Sequence, residues 1–336
     1  MSWGICLSKA APLLAGEICS FCGACVSVCP LRCIDIGEDY PVFDSEKCTE
    51  CGLCSRVCPI LNMNFFREEL PVLEAYSART TLPEVKERGQ DGGVVTTLLL
   101  AMFEKGYVRG AIVSSLSESE PLKPMPLLAK SKEDILASAG TKYSSSPNLS
   151  VLREAKINDA IAVVGVPCQI RAIRLIENAK LKKYANSIKL RIGLFCMENY
   201  AYRTYVDELL SKFLGVNPSD VNKANIKAGK FIVYLKNGEV KKVPVHNLKD
   251  FVRASCKLCP DLTAEYADIS VGGIGSEKGW STVLIRTEIG KDVFDKAVDM
   301  GYLEVKPLSE KGRKLIVKLS SIKKKNAKKP NISLKY

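Results

Sequence analysis

Two runs of cysteine near the start of the chain constrain its fold more than any other feature of the sequence. Each run has the spacing Cys-x2-Cys-x2-Cys-x3-Cys-Pro, and each cysteine of the second run lies 29 positions after its counterpart in the first. Three thiolates two residues apart can hold three corners of an iron-sulfur cube, while a fourth, followed by proline, reaches a neighbouring cube. The spacing therefore predicts a unit that carries electrons one at a time. The first run is Cys19, Cys22, Cys25 and Cys29, and the second is Cys48, Cys51, Cys54 and Cys58.

This spacing is the signature of a two-cluster ferredoxin, which we expect over residues 1–66. A zinc site needs four ligands, usually in two separated pairs, and gives no reason for four cysteines in each run. A disulfide scaffold would be short and secreted, whereas this chain has 336 residues. In the interleaved pattern, one 4Fe-4S cluster is held by Cys19, Cys22, Cys25 and Cys58, and the other by Cys48, Cys51, Cys54 and Cys29.

The chain is long enough for this unit and one larger domain. Its hydrophobic content of 46% supports a substantial core. Residues 64–71 are typical of a linker, and the larger domain is expected over residues 67–310. No window approaches the ~18 apolar residues that would cross a bilayer, and residues 1–16 do not form a signal peptide. Clusters and free thiols predict a reducing, anaerobic cytoplasm.

The net charge of +12 is concentrated in residues 311–336, which hold ten basic residues and no acidic one. The cysteine-rich unit is acidic instead, which is unsuited to a phosphate backbone and argues against a nucleic-acid partner. Residues 311–336 are expected to form a basic tail. Such a tail is either solvated or disordered, or it docks to an acidic partner subunit or an anionic lipid surface. The sequence does not choose between these.

The larger domain alternates strand and helix patterns. Continuous apolar runs predict strands at 107–114, 160–166, 188–195, 267–271 and 281–287. Amphipathic patterns predict helices at 93–105, 169–180 and 290–300. The segments 231–235 and 240–245 flank an Asn-Gly turn and predict a hairpin. Together they predict an α+β chain in which the ferredoxin domain precedes a mixed-sheet α/β domain.

Four more cysteines in the larger domain suggest another metal site. Two of them end apolar strands and two form a Cys-x2-Cys loop; they are Cys168, Cys196, Cys256 and Cys259. Four soft ligands in a chain that already carries clusters favour a third 4Fe-4S cluster over buried structural thiols. Cys6 and Cys33 have no matching partners and are expected to be ordinary thiols. The sole histidine, His246, has no neighbours suited to haem ligation or to Ser-His catalysis.

Two glycine-rich segments are candidate phosphate sites. Residues 89–93 lead directly into a predicted helix, whose amides and positive end can bind a diphosphate. Residues 272–275 follow a predicted strand but lack the glycine spacing of a Rossmann NAD site. Neither segment identifies a cofactor by itself.

Seven segments, taken in order, resemble the coenzyme F420 hydrogenase/dehydrogenase beta-subunit family. They are Gly-Gln-Asp-Gly-Gly (89–93), Gly-Thr-Lys-Tyr (140–143), Val-Gly-Val-Pro-Cys-Gln (164–169), Ile-Gly-Leu-Phe-Cys-Met-Glu (192–198), Cys-x2-Cys (256–259), Ala-Asp-Ile-Ser-Val-Gly (267–272), and Gly-Trp-Ser-Thr with Ile-Arg-Thr (279–287). With the ferredoxin unit, the resemblance spans most of residues 17–290. It covers none of the basic segment 311–336.

The resemblance implies an FAD in the larger domain, a 4Fe-4S cluster on the four cysteines found there, and hydride exchange with coenzyme F420, a 5-deazaflavin. Lys142 and Arg286 are expected to meet phosphate or the electron-rich edge of the flavin. The resemblance identifies no catalytic acid or base. The residues that it assigns to the flavin pocket are Gly92, Gly93, Thr96, Lys142, Tyr143, Ser144, Gly272, Trp280, Ser281, Thr282 and Arg286.

The implied function is oxidation of reduced F420 in an archaeal, methanogenesis-linked setting. A deazaflavin passes two electrons as one hydride whereas a cluster accepts one electron, so FAD is expected to convert between them before three 4Fe-4S clusters carry electrons onward. The implied partner is a membrane-bound F420H2 dehydrogenase complex, another redox subunit or soluble ferredoxin. Two alternatives stay open. The chain is either an electron-transfer subunit of a hydrogenase, formate dehydrogenase or heterodisulfide reductase, or a ferredoxin-driven flavin reductase.

Overall fold

The N-terminal unit repeats in structure as it does in sequence. The computed structural model describes residues 16–66 and 68–328. Each of two short helices begins after a glycine with positive φ, Gly23 (86°) and Gly52 (70°), which follows the second cysteine of its run. Glycine adopts this conformation without steric cost. The elements are a 3₁₀ turn Gly16–Ile18, α1 Ala24–Val28, β1 Ile34–Ile36, antiparallel β2 Pro41–Phe43, α2 Leu53–Arg56 and a 3₁₀ turn Met63–Phe65.

The larger domain is built on one mixed sheet of eight strands. Its strands are β3 Glu74–Thr80, β4 Gly110–Leu116, β5 Pro124–Ala129, β6 Ile161–Gly165, β7 Ile188–Leu194, β11 Ile269–Gly272, β12 Ser281–Ile285 and β13 Leu303–Pro307. They stand in the order β13-β3-β12-β11-β7-β6-β4-β5. The four central strands β11, β7, β6 and β4 are parallel, and the strands outside them pair antiparallel. The predicted mixed sheet is confirmed.

Helices cover both faces of the sheet. They are α3 Pro83–Arg88, α4 Val94–Glu104, α5 Lys132–Ala137, α6 Pro167–Asn178, α7 Lys182–Ala185 and α8 Glu288–Asp299, with a 3₁₀ segment Asn148–Glu154. On one face α4 and α8 bury the larger hydrophobic core. On the other face α6 and the 3₁₀ segment share a core with Ala24, Val28 and Val57 of the N-terminal unit. The two units therefore form one packed body.

A smaller antiparallel sheet stands apart from the main one. Its strands are β8 Val221–Lys227, β9 Lys230–Leu235 and β10 Val240–Pro244, and the Asn-Gly hairpin between β9 and β10 is confirmed. A π-helical segment Thr204–Phe213 packs against this sheet. The remaining 3₁₀ segments are Pro218–Asp220, Val245–Phe251 and Ala254–Lys257. None of the described helices is both long and apolar enough to span a membrane.

The interpretation of residues 311–326 as part of a solvated or disordered tail is wrong. Residues Glu310–Asn326 form a helix, α9, whose N-terminus is capped by Ser309. Gly312, Ile316 and Lys323 are buried along one side of this helix, and Ile316 packs with Leu284 of β12. A stripe of buried residues with helical spacing fixes a helix to a core, and here it outweighs the repulsion among the basic residues. The rest of the segment, residues 329–336, lies outside the described residues.

Candidate functional site

The eight cysteines of the N-terminal unit line two separate cavities. The first is lined by Cys19, Cys22, Cys25 and Cys58, together with Gly23 and with Pro147 of the larger domain. The second is lined by Cys29, Cys48, Cys51 and Cys54. The cysteines are thus grouped as the interleaved pattern requires, with the fourth cysteine of each run on the other run's cavity. This grouping suits two clusters.

The two cavities differ in their exposure. Cys22 in the first cavity is buried, and burial raises the pKa of its thiol to about 11. Cys51 in the second is exposed to solvent. The first cavity is therefore the inner one of the pair, and the second opens toward the surface.

Cys33 belongs to neither run, yet it lines the second cavity. Its Sγ lies 3.2 Å from the Sγ of Cys29. Burial, and then the contact with Cys29, raise the pKa of the Cys33 thiol to about 12. The cysteine spacing carried no signal for this position, because Cys33 meets Cys29 only through a bend of the chain after Pro30. Cys6, the other cysteine outside the runs, lies outside the described residues.

The four cysteines of the larger domain come together at one edge of the main sheet. Cys168 follows β6 and Cys196 follows β7, and carboxyl ends of adjacent parallel strands meet at the same edge. Cys256 and Cys259 approach from the 3₁₀ segment Ala254–Lys257. Burial raises the pKa of the Cys168 thiol well above its ordinary value, and so does the negative charge of nearby thiols.

The third set lies beside the first cavity. The nearby thiols that raise the pKa of Cys168 include Cys22 as well as Cys259, Cys196 and Cys256. Cys22 belongs to the first cavity and not to the larger domain. The cysteine sets therefore follow one another in space from the sheet edge, through the inner cavity, to the cavity near the surface.

The chemistry of these sets suits clusters better than lone ions. No three Cys, His, Asp or Glu side chains in residues 16–66 and 68–328 are grouped to hold a single metal ion. A cubane binds each thiolate through a different iron, so its four ligands surround a larger volume. Four cysteines without carboxylate or histidine ligands are the donor set of an iron-sulfur cluster.

A buried lysine completes the surroundings of the third set. The ammonium group of Lys323 on α9 donates to the carbonyl oxygen of Cys196. Burial lowers its pKa, but the negative charges of Cys259 and other nearby groups raise the pKa above its ordinary value. Sequence reasoning missed this residue because the basic composition of α9 is typical of a tail. The available signal was the spacing of Gly312, Ile316 and Lys323, which fall on one side of a helix.

Arg253 joins the third set to the first cavity. Its guanidinium group is 4% exposed, and its Nε donates to the carbonyl oxygen of Cys19 at 2.9 Å. A second nitrogen, Nη2, donates to the carbonyl oxygen of Asp39 at 2.5 Å. Its own carbonyl accepts from the backbone amide of Cys256 at 2.9 Å. The buried guanidinium thus contacts Cys19, and its charge acts on the thiols of both Cys19 and Cys256. Neither the spacing nor the resemblance indicated this residue.

Several predicted flavin residues meet at the same sheet edge. The backbone amide of Gly92 donates to Ser281 Oγ at 3.0 Å, and Gly272 pairs with Thr282 between β11 and β12. The hydroxyl of Thr282 is hydrogen-bonded to Ser276 Oγ at 2.8 Å. A Cβ on Gly92 would lie 2.4 Å from the carbonyl oxygen of Ala78, so the loop before α4 packs directly on the strands.

The N-terminus of α4 is suited to a phosphate group. Gly93 has φ 66° and precedes the helix, which has no side-chain cap. The first-turn amides of a helix carry partial positive charge and lack intrahelical acceptors. Thr96, also predicted for the flavin, is buried in this turn. The helix has eleven residues, long enough for its dipole to contribute at this end.

Tyr143 and Ser144 lie close to the same loop. The charge of Asp91, beside Gly92, adds to the effect of burial in raising the pKa of the Tyr143 hydroxyl. The Oγ of Ser144 is buried without a hydrogen-bond partner among the described residues. Leaving a buried hydroxyl unpaired costs free energy, so a ligand that accepts or donates a hydrogen bond there would be favoured.

The ammonium group of Lys142, predicted to contact phosphate, forms hydrogen bonds to backbone carbonyls of the protein. Lys142 donates to the carbonyl oxygens of Ser138, Ala139 and Gly140 at the end of α5. Burial lowers the pKa of its ammonium group to about 8. In this structure Lys142 therefore caps the C-terminal end of α5.

Arg286 does not lie beside Gly92 and Ser281 at the sheet edge. Its guanidinium nitrogens donate to Ser270 Oγ, to Thr263 Oγ1 and to the carbonyl oxygen of Leu70. β12 starts at Ser281, near Gly272, and ends at Ile285, beside Ile269, so Arg286 lies at the other end of the strand from Ser281. The contact of Arg286 with phosphate or flavin stays a prediction.

Two other predicted residues have a structural reason for their identity. A Cβ on Gly272 would lie 2.3 Å from the ring of Phe195, so glycine is required for that ring to pack beside Cys196. The Trp280 ring lies between two cations, with Arg79 4.6 Å and Lys306 4.0 Å from its centroid. Both cations interact with the π face of the ring and hold it in place.

Family models match the chain over most of its length. One model, for the N-terminal part of the coenzyme F420 hydrogenase/dehydrogenase beta subunit, matches residues 75–153, and the model of the C terminus of that protein matches residues 158–311. A 4Fe-4S dicluster domain model matches residues 18–61. The two units that the structure packs together thus each match a known domain.

The chain is similar to components of F420-linked enzymes. It is 37% identical to one component of the F420H2 dehydrogenase of Methanosarcina mazei, over 94% of this chain and 92% of that protein. It is 38% identical to the beta subunit of the coenzyme F420 hydrogenase of Methanothermobacter thermautotrophicus, over 76% of this chain and 92% of that protein. A chain in the solved F420-reducing [NiFe] hydrogenase complex of Methanosarcina barkeri has a TM-score of 0.72 and 34% identity, covering 78% of this chain and 93% of that one.

Proposed function

The chain belongs to the coenzyme F420 hydrogenase/dehydrogenase beta-subunit family, and from this we propose that it oxidises reduced coenzyme F420 and passes the electrons singly to a partner protein. The single observation that carries the proposal is the succession of three cysteine sets from the sheet edge to exposed Cys51. A chain that only bound F420 would need none of them.

The predicted flavin residue Gly272 and the third cysteine set are adjacent. Phe195, whose ring packs against Gly272, immediately precedes Cys196. We propose that Cys168, Cys196, Cys256 and Cys259 hold one 4Fe-4S cluster and that the two cavities of the N-terminal unit hold two more. Bound clusters would each supply a one-electron acceptor. The proximity of Cys22 to Cys168 supports an order of transfer from the third set to the inner cavity and then to the second cavity.

We propose that FAD binds at the loop before α4. The uncapped α4 N-terminus would meet its diphosphate, and the unpartnered hydroxyl of Ser144 would form a hydrogen bond to it. When bound, the flavin would supply the conversion between hydride transfer and single-electron transfer. Gly93, Thr96, Ser281 and Thr282 stay candidates for the pocket, whereas Lys142 and Arg286 are better assigned to structural contacts.

Among the family's activities, oxidation of reduced F420 is favoured over the role of a hydrogenase beta subunit. The similarity to the F420H2 dehydrogenase component of Methanosarcina mazei extends over 94% of this chain, against 76% for the hydrogenase beta subunit. We therefore propose that the acceptor is a redox partner within an F420H2-oxidising complex. Soluble ferredoxin as an alternative acceptor and a cytoplasmic location beside a membrane complex both stay predictions.

The decisive experiment mixes the anaerobically reconstituted full chain with F420H2, NADH or NADPH in a stopped-flow instrument. Rapid flavin bleaching by F420H2 alone, with recovery of oxidised F420 absorbance, would support the proposal. Flavin that no donor bleaches would contradict it and would favour a chain that receives electrons from its partner. Bleaching by NADH or NADPH as fast as by F420H2 would contradict the substrate assignment alone.

A further inference from the structure

Lys323 is a buried cation that forms no ion pair with a carboxylate in the part of the chain that the structure describes. Its side chain is 6% exposed, and the carbonyl oxygen of Cys196 is its hydrogen-bond acceptor among the described residues. No carboxylate in residues 16–66 and 68–328 lies within 4.0 Å of its ammonium nitrogen. Lysine is almost never fully buried unless it is paired, because an ammonium group is strongly hydrated in water. The nearby negative charges that act on it are the thiols of Cys259, Cys196 and Cys256 first, and then the carboxylate of Asp261.

The neighbouring charges show how unusual this environment is. Lys324, the next residue, is exposed and pairs with Glu265 at 2.9 Å and with Glu69 at 3.1 Å. The buried carboxylate of Asp261, near the third set, is paired with Arg171 at 3.6 Å. Two adjacent lysines of one helix thus point to different partners, carboxylates for Lys324 and the cysteine set for Lys323.

We propose that Lys323 is a positioning residue of the third site, which holds the Cys196 backbone in place and raises the reduction potential of the cluster bound there. The inference rests on the proposed ligation of that cluster by Cys168, Cys196, Cys256 and Cys259. Four thiolates give the site a net negative charge, and reduction adds one more. A cation held beside them in a medium of low dielectric constant stabilises the reduced state more than the oxidised state.

Helix α9 holds Lys323 in position independently of the lysine itself. Gly312 lies so close to the chain that a Cβ there would be 2.2 Å from the carbonyl oxygen of Gly275. Ile316 packs on the same segment and on Leu284. These contacts lie two and three turns before Lys323 along the helix. Replacing Lys323 by methionine, which has a similar apolar stem, therefore leaves the contacts that anchor the helix.

The test compares the anaerobically reconstituted full chain with Lys323→Met, Lys323→Arg and Lys325→Met. Lys325→Met is the matched control, since it removes the same charge from an exposed position on the same helix. Iron content and a redox titration followed by electron paramagnetic resonance are measured for each protein. The Cys168→Ala variant, which lacks a ligand at this position, identifies the signal of the third cluster by its loss. We expect Lys323→Met to lower the midpoint potential of that signal alone, with Lys323→Arg and Lys325→Met close to wild type.

Each other outcome has its own meaning. Unchanged potentials in Lys323→Met, with all clusters present, overturn the inference and leave the proposed function standing. Wild-type protein with only about eight irons per chain contradicts the proposed third cluster instead. If Lys323→Met loses iron, Lys323→Arg shows whether a positive charge at this position is what retains the cluster. Retention of iron in Lys323→Arg supports the role of the charge, and loss in both variants overturns it.

Discussion

The cysteine sets of the N-terminal unit and of the larger domain are made in different ways. The first two are built from short contiguous runs, each with a glycine that starts a helix of one or two turns. The third is assembled from two strand ends and a loop, Cys168, Cys196 and the Cys256–Cys259 pair. A contiguous run carries most of its site within itself, whereas the dispersed set depends on the whole sheet and on cations supplied from elsewhere.

The difference extends to electrostatics. In the N-terminal unit the second cavity lies near the surface, where solvent screens its charge. The third set has two buried cations beside it: Lys323, which donates to the carbonyl oxygen of Cys196, and Arg253, whose charge acts on the Cys256 thiol. Charge that water would screen at the surface must be balanced by side chains in the interior. The predictions below compare how the dispersed set and the contiguous runs respond to single substitutions.

The largest effect is expected from Cys168→Ala. We expect this variant to lose about four of about twelve irons, because one ligand of the third cluster is removed while both cavities of the N-terminal unit stay complete. Iron analysis and paramagnetic resonance of the reconstituted protein provide the measurement. Cys22→Ala is the matched comparison: it should keep flavin reduction by F420H2 but slow the onward transfer of electrons. Unchanged iron in Cys168→Ala would refute the third site.

A smaller effect is expected from Arg253→Met, which affects both kinds of set. Loss of the hydrogen bonds to the carbonyls of Cys19 and Asp39 should lower the free energy of unfolding by about 2 to 4 kcal/mol, because the donor is charged and buried. Anaerobic denaturant unfolding measures this loss. Acceptor reduction should slow while flavin bleaching by F420H2 is kept. Arg313→Met, at an exposed position of α9, is the control, and equal stability of the two variants would contradict the role of Arg253.

The smallest effect concerns pH and Glu265. Burial and the nearby charge of Asp261 raise the pKa of Glu265 to about 7, above its usual value in an unfolded chain of about 4.3. Its contribution to stability is therefore fully present below about pH 4.3 and is lost as the pH rises through about 7. Glu265→Gln, which resembles the protonated form, should show a smaller fall in thermal unfolding temperature between pH 5 and 8 than wild type. Parallel curves for the two proteins would contradict this assignment.

Much of the sheet was predictable from the sequence. β6 and β7 are continuous apolar runs, and such runs are typical of parallel strands buried on both faces. β3, β5, β8 and β13 were not predicted. They mix polar and apolar residues, and prolines begin β5 and end β13, so their place in a sheet depends on neighbours far along the chain. The order and the direction of the strands in the sheet likewise could not be predicted from the sequence.

The candidate site shows the same division. Cysteine spacing led directly to the two cavities, and the positions of Cys168 and Cys196 at strand ends correctly suggested that they meet. The hydrogen bonds of Arg286 to Ser270, Thr263 and Leu70 could not be foreseen, because these partners come from distant segments of the chain. Lys323 was missed because the local composition of α9 is basic and its buried stripe is short. Residues that act from a distant part of the chain are visible only in the fold.

The position of α9 in the chain sets an order for assembly in the cell. Synthesis proceeds from the N-terminus, so the cysteines of both runs are made before Cys168. The helix that carries Lys323 is made after the last of the four dispersed cysteines. The N-terminal unit thus has all its ligands early in translation, whereas the third site stays open to cluster delivery until α9 has been made and has docked.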